Sequence, residues 1–424
     1  MTIGDINAFL GTAEFSVAVL SGVFVFAVGL AIVSLVSYRL LGSAHYGVTV
    51  FIGLVFVGCV ITLRFGPFFL ATDGPVYDQQ AFGFAESLRG NSVSKALDSG
   101  KEGWPILLGF IYYLLGRVTF VGILVNCLAT ALSAVFVART AQLLRGSFSP
   151  RALYTWFFCT PLLLLLGPSL LREAACWLGI SMLCYSTIAI ARGRLGAIWP
   201  AVSGAFILIT VRTSLAALVL GALLVSWLAI TLIGRKRYLA VALMAVVGIA
   251  FASSGLNVLL AQLGFTAESI QTNRVYISVD ATTGFAVDSL QTGVVGFLST
   301  AVQVVPRLLF GPFPWELGFA PVWIWVLLNT LVWLVLLFLA IRNLSHLEHK
   351  YFGLILVVAS GLVLLAMSVT LTNYGIVVRM RGAAMIMLLP LVLGSDLTKS
   401  RIGPTLSGRA AGGARPALER LRMK

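Results

Sequence analysis

The chain has 424 residues, 59% of them apolar and 10% charged, with a formal net charge of +14 and a mean hydropathy of +1.01. That composition excludes a soluble globular domain and fits a polytopic helical membrane protein; long apolar stretches without strict alternation exclude an outer-membrane barrel. The basic residues are scattered over short loops and the tail, a pattern that sets orientation in a membrane rather than binding nucleic acid.

Residues 1–15 hold no Lys or Arg but carry Asp5 and Glu14. They lack the basic segment of a secretory signal, so the first apolar stretch is read as a span. Apolar periods predict spans near 15–38, 48–63, 118–138, 152–166, 173–191, 197–211, 213–234, 238–258, 322–341, 351–371 and 383–395. The expected fold is thus an all-α polytopic transmembrane helix bundle of about eleven spans, with juxtamembrane helices on the outer face. The membrane domain covers 1–394, with large outer loops at 64–117 and 259–321. The segment 395–424, rich in Gly, Ala, Pro and Arg, reads as a basic, disordered cytoplasmic tail.

Arg235-Lys236-Arg237 fixes the sidedness, because basic loops stay in the cytoplasm. Counting spans from there places the N-terminus outside and the C-terminus inside a bacterial inner membrane. Of 15 acidic residues, only Glu348, Asp396 and Glu419 then fall inside. Segments 104–116 and 294–310 are apolar but do not cross in this scheme; they are expected to lie on or dip into the outer leaflet. Cys59, Cys127, Cys159, Cys176 and Cys184 all sit in apolar stretches and read as small buried side chains rather than disulfides.

Chemistry is therefore sought on the outer face. The first large loop opens with Thr72-Asp73-Gly74-Pro75-Val76-Tyr77-Asp78. Gly74-Pro75 breaks the chain, and a helix can begin there. Asp73 and Asp78, near the membrane surface, could take a proton from a substrate hydroxyl or hold a divalent cation beside a phosphate, or else cap the helix. Six arginines stand outside against the orientation rule: Arg172 in Gly167-Pro168-Ser169-Leu170-Leu171-Arg172-Glu173, Arg212 in the tight turn Val211-Arg212-Thr213, Arg379 and Arg381 after Asn373-Tyr374-Gly375, and Arg274 and Arg307 in the second loop. Guanidinium groups match phosphate oxygens in pairs and stay charged; the alternative is pairing with lipid phosphate or with nearby acids such as Glu173. Phe310-Gly311-Pro312-Phe313-Pro314-Trp315-Glu316 makes a stiff aromatic turn that suits an interface anchor, with Glu316 also open as a sugar-binding acid. There is no phosphate-binding glycine loop. His45, His346 and His349 all fall in expected cytoplasmic loops, away from the outer acids.

The early loop acid with its Tyr (Asp73, Tyr77) resembles the integral-membrane glycosyltransferases of the GT-C class. So does the run Gly103-Trp104-Pro105-Ile106-Leu107-Leu108-Gly109-Phe110-Ile111-Tyr112-Tyr113-Leu114-Leu115-Gly116, with Asn126 in the next span. The Ser169 to Glu173 turn, the Pro312 to Glu316 turn and the Asn373 to Arg381 segment are similar to GT-C-like and Wzy/EpsG-like exopolysaccharide proteins. The resemblance spans roughly residues 60–390 in short, degenerate motifs. It implies a GT-C-like fold and transfer of a sugar or oligosaccharide from a polyprenyl phosphate or pyrophosphate donor to a glycan or lipid acceptor outside the membrane. Asp73 would be the family's loop acid, as base or metal-linked acid. Arg172, Arg212, Arg379 and Arg381 would hold the donor phosphate, with Tyr77, Glu173, Arg274, Arg307, Trp315, Glu316 and Asn373 around the substrate. The chain departs from the family in placing an extra span before the loop. A transporter of lipid-linked sugars and a non-catalytic assembly scaffold are the competing readings; neither internal repeats nor mid-membrane charges mark a transporter here.

Overall fold

The computed structural model describes residues 13–69, 73–90, 102–233, 272, 283–285, 293–320, 322–347, 349–368 and 372–394. Every regular element among the described residues is helical; one isolated antiparallel bridge joins Gly284 to Asn373. Eight helices are long and apolar enough to cross a bilayer. In chain order the principal helices are α1 (Ala13–Leu41), α2 (His45–Phe65), α3 (Gly74–Leu88), α4 (Gly103–Leu115), α5 (Thr119–Arg145), α6 (Pro150–Cys159) and α7 (Pro161–Leu166). There follow α8 (Glu173–Ala191), α9 (Ile198–Ile233), α10 (Gly293–Phe310), α11 (Val322–Leu344), α12 (Lys350–Ser368) and α13 (Tyr374–Leu388).

Three departures separate the eight helices from the eleven expected stretches. The stretch 152–166 is two successive helices, each too short by itself to count among the eight, split where Pro161 forces Thr160 out of helical geometry (φ −88°, ψ 110°). The stretches 197–211 and 213–234 are two helices that meet without a loop, counted together here as α9, with a break in helical backbone at Arg212 (φ −159°, ψ 83°). The stretch 238–258 lies outside the described residues, as do Arg235 to Arg237 and the tail 395–424. The last span also begins earlier than expected: α13 starts at Tyr374, so Arg379 and Arg381 sit within its first turns instead of in a loop.

The helices sort by burial. Helices α5, α8 and α13 form the centre, with 78%, 72% and 83% of their span windows buried. Around them α1, α2 and α11 turn Leu20, Phe24, Phe56, Leu63, Ile324 and Phe338 outward. So wide an apolar girdle has no counterpart on a water-soluble monomer; its natural solvent is lipid. Inside, close packing replaces the hydrophobic effect as the attractive force between helices. Small residues serve this along α5 (Ala131, Ala134, Ala138, Ala141, all buried) and where α8 meets α9. A Cβ on Gly179 would stand 2.9 Å from the Gly204 carbonyl oxygen, and one on Gly204 would stand 2.8 Å from that of Gly179, so the two backbones touch.

Helices α3 and α4 pack on each other beside the bundle. Gly103 at the start of α4 meets the Thr210 backbone of α9 so closely that an added Cβ would lie 2.2 Å from its carbonyl oxygen. Trp104, Leu108 and Tyr112 face inward while Leu107, Phe110 and Leu114 are exposed, as expected for a helix with one wet or lipid-facing side.

Helix α10 ends inside the bundle. Trp333, midway along α11, donates from Nε1 to the Leu309 carbonyl (3.0 Å), and Thr330 donates to Gly311 O (3.0 Å). The chain then turns back through Gly311 and Pro312 to start α11 at Val322. A helix ending at that depth exposes carbonyls that have no water to bond. Arg381 of α13 supplies the donors: Nε to Leu308 O (2.7 Å), Nη2 to Arg307 O (3.0 Å) and to Gly311 O (2.7 Å), and Nη1 to Thr330 Oγ1 (2.7 Å).

The polar residues collect at opposite ends of the bundle. Arg145 and Asn343 bond the Leu391 carbonyl, and Arg192 bonds Leu143 O and His349 Nε2, at one end. Asp73, Arg172, Glu173 and Arg379 gather at the other.

Candidate functional site

The second end is built from four elements. Between α7 and α8 the chain makes the turn 167–172, with Leu170 and Leu171 fully buried. Asn126 of α5 holds that turn: its Nδ2 donates to Ser169 O (2.5 Å) and Leu171 O (2.7 Å), while Ser169 Oγ donates to Leu166 O (2.7 Å). The anchored turn delivers Arg172 to the N-cap of α8 and Glu173 to its first helical position. There the carboxylate meets the positive end of the helix dipole.

Asp73 is the N-cap residue of α3 and its side chain is half exposed (51%). Arg379, from the second turn of α13, places Nη1 3.1 Å from Asp73 Oδ2 and 3.9 Å from Glu173 Oε1. One guanidinium nitrogen therefore lies between two carboxylates. Tyr77 stands one turn along α3, and the Arg172 guanidinium lies over its ring, 5.9 Å from the centroid. Burial pushes the Tyr77 phenol up; Arg172 opposes this, Asp73 and Glu173 add to it, and Arg212 opposes it again. The net direction is upward, so Tyr77 stays protonated at neutral pH as a donor. The same interactions place Arg212, at the bend of α9, within electrostatic reach of the group. Asp73, Tyr77, Arg172, Glu173, Arg212 and Arg379 thus form one constellation, with three cations facing two carboxylates.

Other expected site residues are placed elsewhere. Asp78 is buried (3% exposed) and accepts from Tyr112 Oη (2.5 Å), Arg117 Nε (3.1 Å) and Nη2 (2.6 Å), and Thr119 Oγ1 (3.3 Å). Both its oxygens are engaged, so it is a strut tying α3 to α4 and α5 rather than a base. Burial, followed by the hydrogen bond to Asp78, drives the Tyr112 phenol strongly upward. Arg381 is 1% exposed with its fork filled by carbonyls and Thr330; it caps α10 and offers nothing to a phosphate.

Arg307 and Glu316 satisfy each other at 2.7 Å, and Glu316 also accepts from Tyr374 Oη and from the Phe313 N–H (3.0 Å). Partial burial raises the Glu316 carboxyl, but the hydrogen bonds from Tyr374, Arg307 and Phe313 outweigh it and leave the group below the ordinary range. Glu316 and Arg307 therefore close the turn after α10 instead of binding a sugar. Asn373 accepts from Gly375 N (2.8 Å) and Thr283 Oγ1 (2.5 Å) as the cap of α13, which uses it structurally. Trp315 is exposed (78%) and stacks on Phe313, as an interface anchor does. Arg274 lies outside the described residues.

Asn126, noted in the sequence only as part of the family resemblance, has a positioning role that the sequence reading did not assign to it. Its signal was present: a carboxamide in an otherwise apolar span needs a partner, and here the partner is the turn that carries Arg172. For a divalent cation, Asp73 and Glu173 are the available ligands, and both are shared with Arg379. Among the described residues no group of three or more His, Cys, Asp or Glu is arranged to hold a metal. Compared with protein-family profiles, with curated proteins and with solved structures, the chain matches none.

Proposed function

We propose that the protein is a GT-C-like or Wzy/EpsG-like membrane transferase. It passes a sugar or oligosaccharide from a polyprenyl-linked phosphate or pyrophosphate to a glycan or lipid acceptor at the outer face of a bacterial inner membrane. The observation that carries this reading is the convergence of Arg172, Arg212 and Arg379 with Asp73 and Glu173 at one end of the bundle. These residues are far apart in sequence, and three of them are arginines at an end where orientation rules disfavour arginine.

The chemistry follows from charge. When the bond between the anomeric carbon and the donor phosphate breaks, negative charge grows on the phosphate oxygen. Arg172, Arg212 and Arg379 stand ready to balance it without reorganisation. Arg379 is kept in place by its carboxylate partners, and Arg172 by the Asn126-bound turn and the Tyr77 ring. The acceptor hydroxyl is a poor nucleophile, and a carboxylate of the cluster can take its proton. A donor attached to a lipid brings its phosphate to this depth without any nucleotide-binding domain.

The test is glycan output from cells that carry Arg172→Ala or Arg379→Ala, with membrane protein level measured alongside. Each change is expected to lower product about 100-fold or more at unchanged protein level. Full product from both variants would end the proposal.

A further inference from the structure

Of the two carboxylates in the constellation, Glu173 has the unfilled oxygen. Its side chain is nine-tenths buried (9% exposed). Oε2 is shielded from solvent and has no hydrogen-bond partner, and Oε1 stands 3.9 Å from Arg379 Nη1, beyond hydrogen-bond length. Asp73 differs in each respect. It is half exposed, and its Oδ2 already accepts from Arg379 at 3.1 Å. A buried carboxylate oxygen without a donor is costly, and a ligand or reaction that uses the oxygen accounts for it. An oxygen that must pull a proton from a hydroxyl needs a free lone pair and a dry setting, and in this cluster Glu173 Oε2 has both.

Resting on the transferase reading, we propose that Glu173 is the catalytic base and Asp73 a positioning residue that acts through Arg379. In the step, the acceptor O–H bond breaks and its proton passes to Glu173 Oε2. The acceptor oxygen forms a bond to the anomeric carbon. The bond from that carbon to the phosphate oxygen breaks, and its electron pair leaves on the phosphate beside Arg172, Arg212 and Arg379. The groups facing Glu173 are Tyr77 from α3, Asp73 at its cap, Arg172 from the turn, Cys176 one turn along α8, Arg212 of α9 and Arg379 of α13. Three of these are guanidinium groups.

The test compares Glu173→Gln, Glu173→Asp and Asp73→Asn in the full-length protein. Glycan product from cells is read against protein level, and binding of undecaprenyl phosphate to the purified protein in detergent is read by thermal shift. Glu173→Gln is expected to lose at least about 100-fold in product while still binding the lipid phosphate. Glu173→Asp, which keeps the carboxylate, should recover part of that loss. Asp73→Asn should retain measurable product with weaker lipid-phosphate binding, because Arg379 loses its guide. Glu173→Gln with near-normal product, or Asp73→Asn inactive while Glu173→Gln works, overturns the assignment of the base and leaves the transferase reading standing. Glu173→Gln that fails to bind the lipid phosphate makes Glu173 a binding residue and also overturns it. Normal product from Arg172→Ala and Arg379→Ala defeats the transferase reading itself, a separate result.

Discussion

At the scale of single residues, similar side chains do different work according to what surrounds them. Asp73 and Asp78 are five positions apart, yet one is half exposed beside Arg379 and the other is buried beneath four hydrogen bonds. Asp78→Asn removes the charge that Arg117 and Tyr112 were placed to meet. Asp78 is buried but Arg117 is half exposed, so the change costs about 1–3 kcal/mol, and the variant should lose folded protein in a detergent melt. Glu316 gives a prediction in pH. Its folded-state pKa lies below the ordinary carboxylate value, so its stabilisation is complete above that value and drains away as the pH falls through the lowered one. Melting temperature should therefore drop between neutral pH and about pH 3, and Glu316→Gln should flatten part of that dependence. The residues read as candidates were mostly polar groups in unexpected places, and that signal is sound. Sequence could not say which would be consumed by a partner, because Asp78 and Arg381 are answered by residues 34 to 74 positions away, and Glu316 by Tyr374, 58 positions away, as well as by its neighbours Arg307 and Phe313.

At the scale of elements, the dead-end helix α10 is the telling case. Its apolar length was visible, and so was the expectation that it dips rather than crosses. What closes it was not visible, because Arg381 reaches the carbonyls of Arg307, Leu308 and Gly311 across more than seventy residues. The guanidinium also lies where a helix C-terminus favours positive charge. Arg381→Met keeps much of the volume and deletes the donors. It is expected to destabilise the protein by about 3 kcal/mol or more, with new hydrogen exchange or proteolysis at 308–313 as the local sign. Arg212 teaches the converse: the tight turn expected at Val211-Arg212-Thr213 is where two helices meet, and a single non-helical residue makes the break. In the 152–166 stretch Thr160-Pro161 was a legible break, and the two short helices on either side of it lead from the Arg145 end to the turn that carries Arg172.

At the scale of the whole molecule, the central and peripheral helices were not separable by hydropathy, since α1 and α5 are both strongly apolar. What distinguishes α5 is its small and polar residues, which let neighbours approach on every side. The segregation of charge was legible, and the bundle keeps it: Arg145, Arg192 and His349 at one end, Asp73, Arg172 and Arg379 at the other. Single cysteines at Ser345 and at Asp73, placed in a background lacking the native cysteines, should label with a membrane-impermeant thiol reagent from opposite sides of sealed vesicles. Labelling of both from one side would contradict a bundle that crosses between them.

The contact between Asp73 and Arg379 joins positions 306 residues apart. During synthesis the early acid must wait, already threaded, until nearly the whole polypeptide has left the ribosome. Nascent fragments that stop short of α13 carry Glu173 and two of the three cations but not the guanidinium between the acids. A chain cut before α13 therefore lacks the group that joins the two acids.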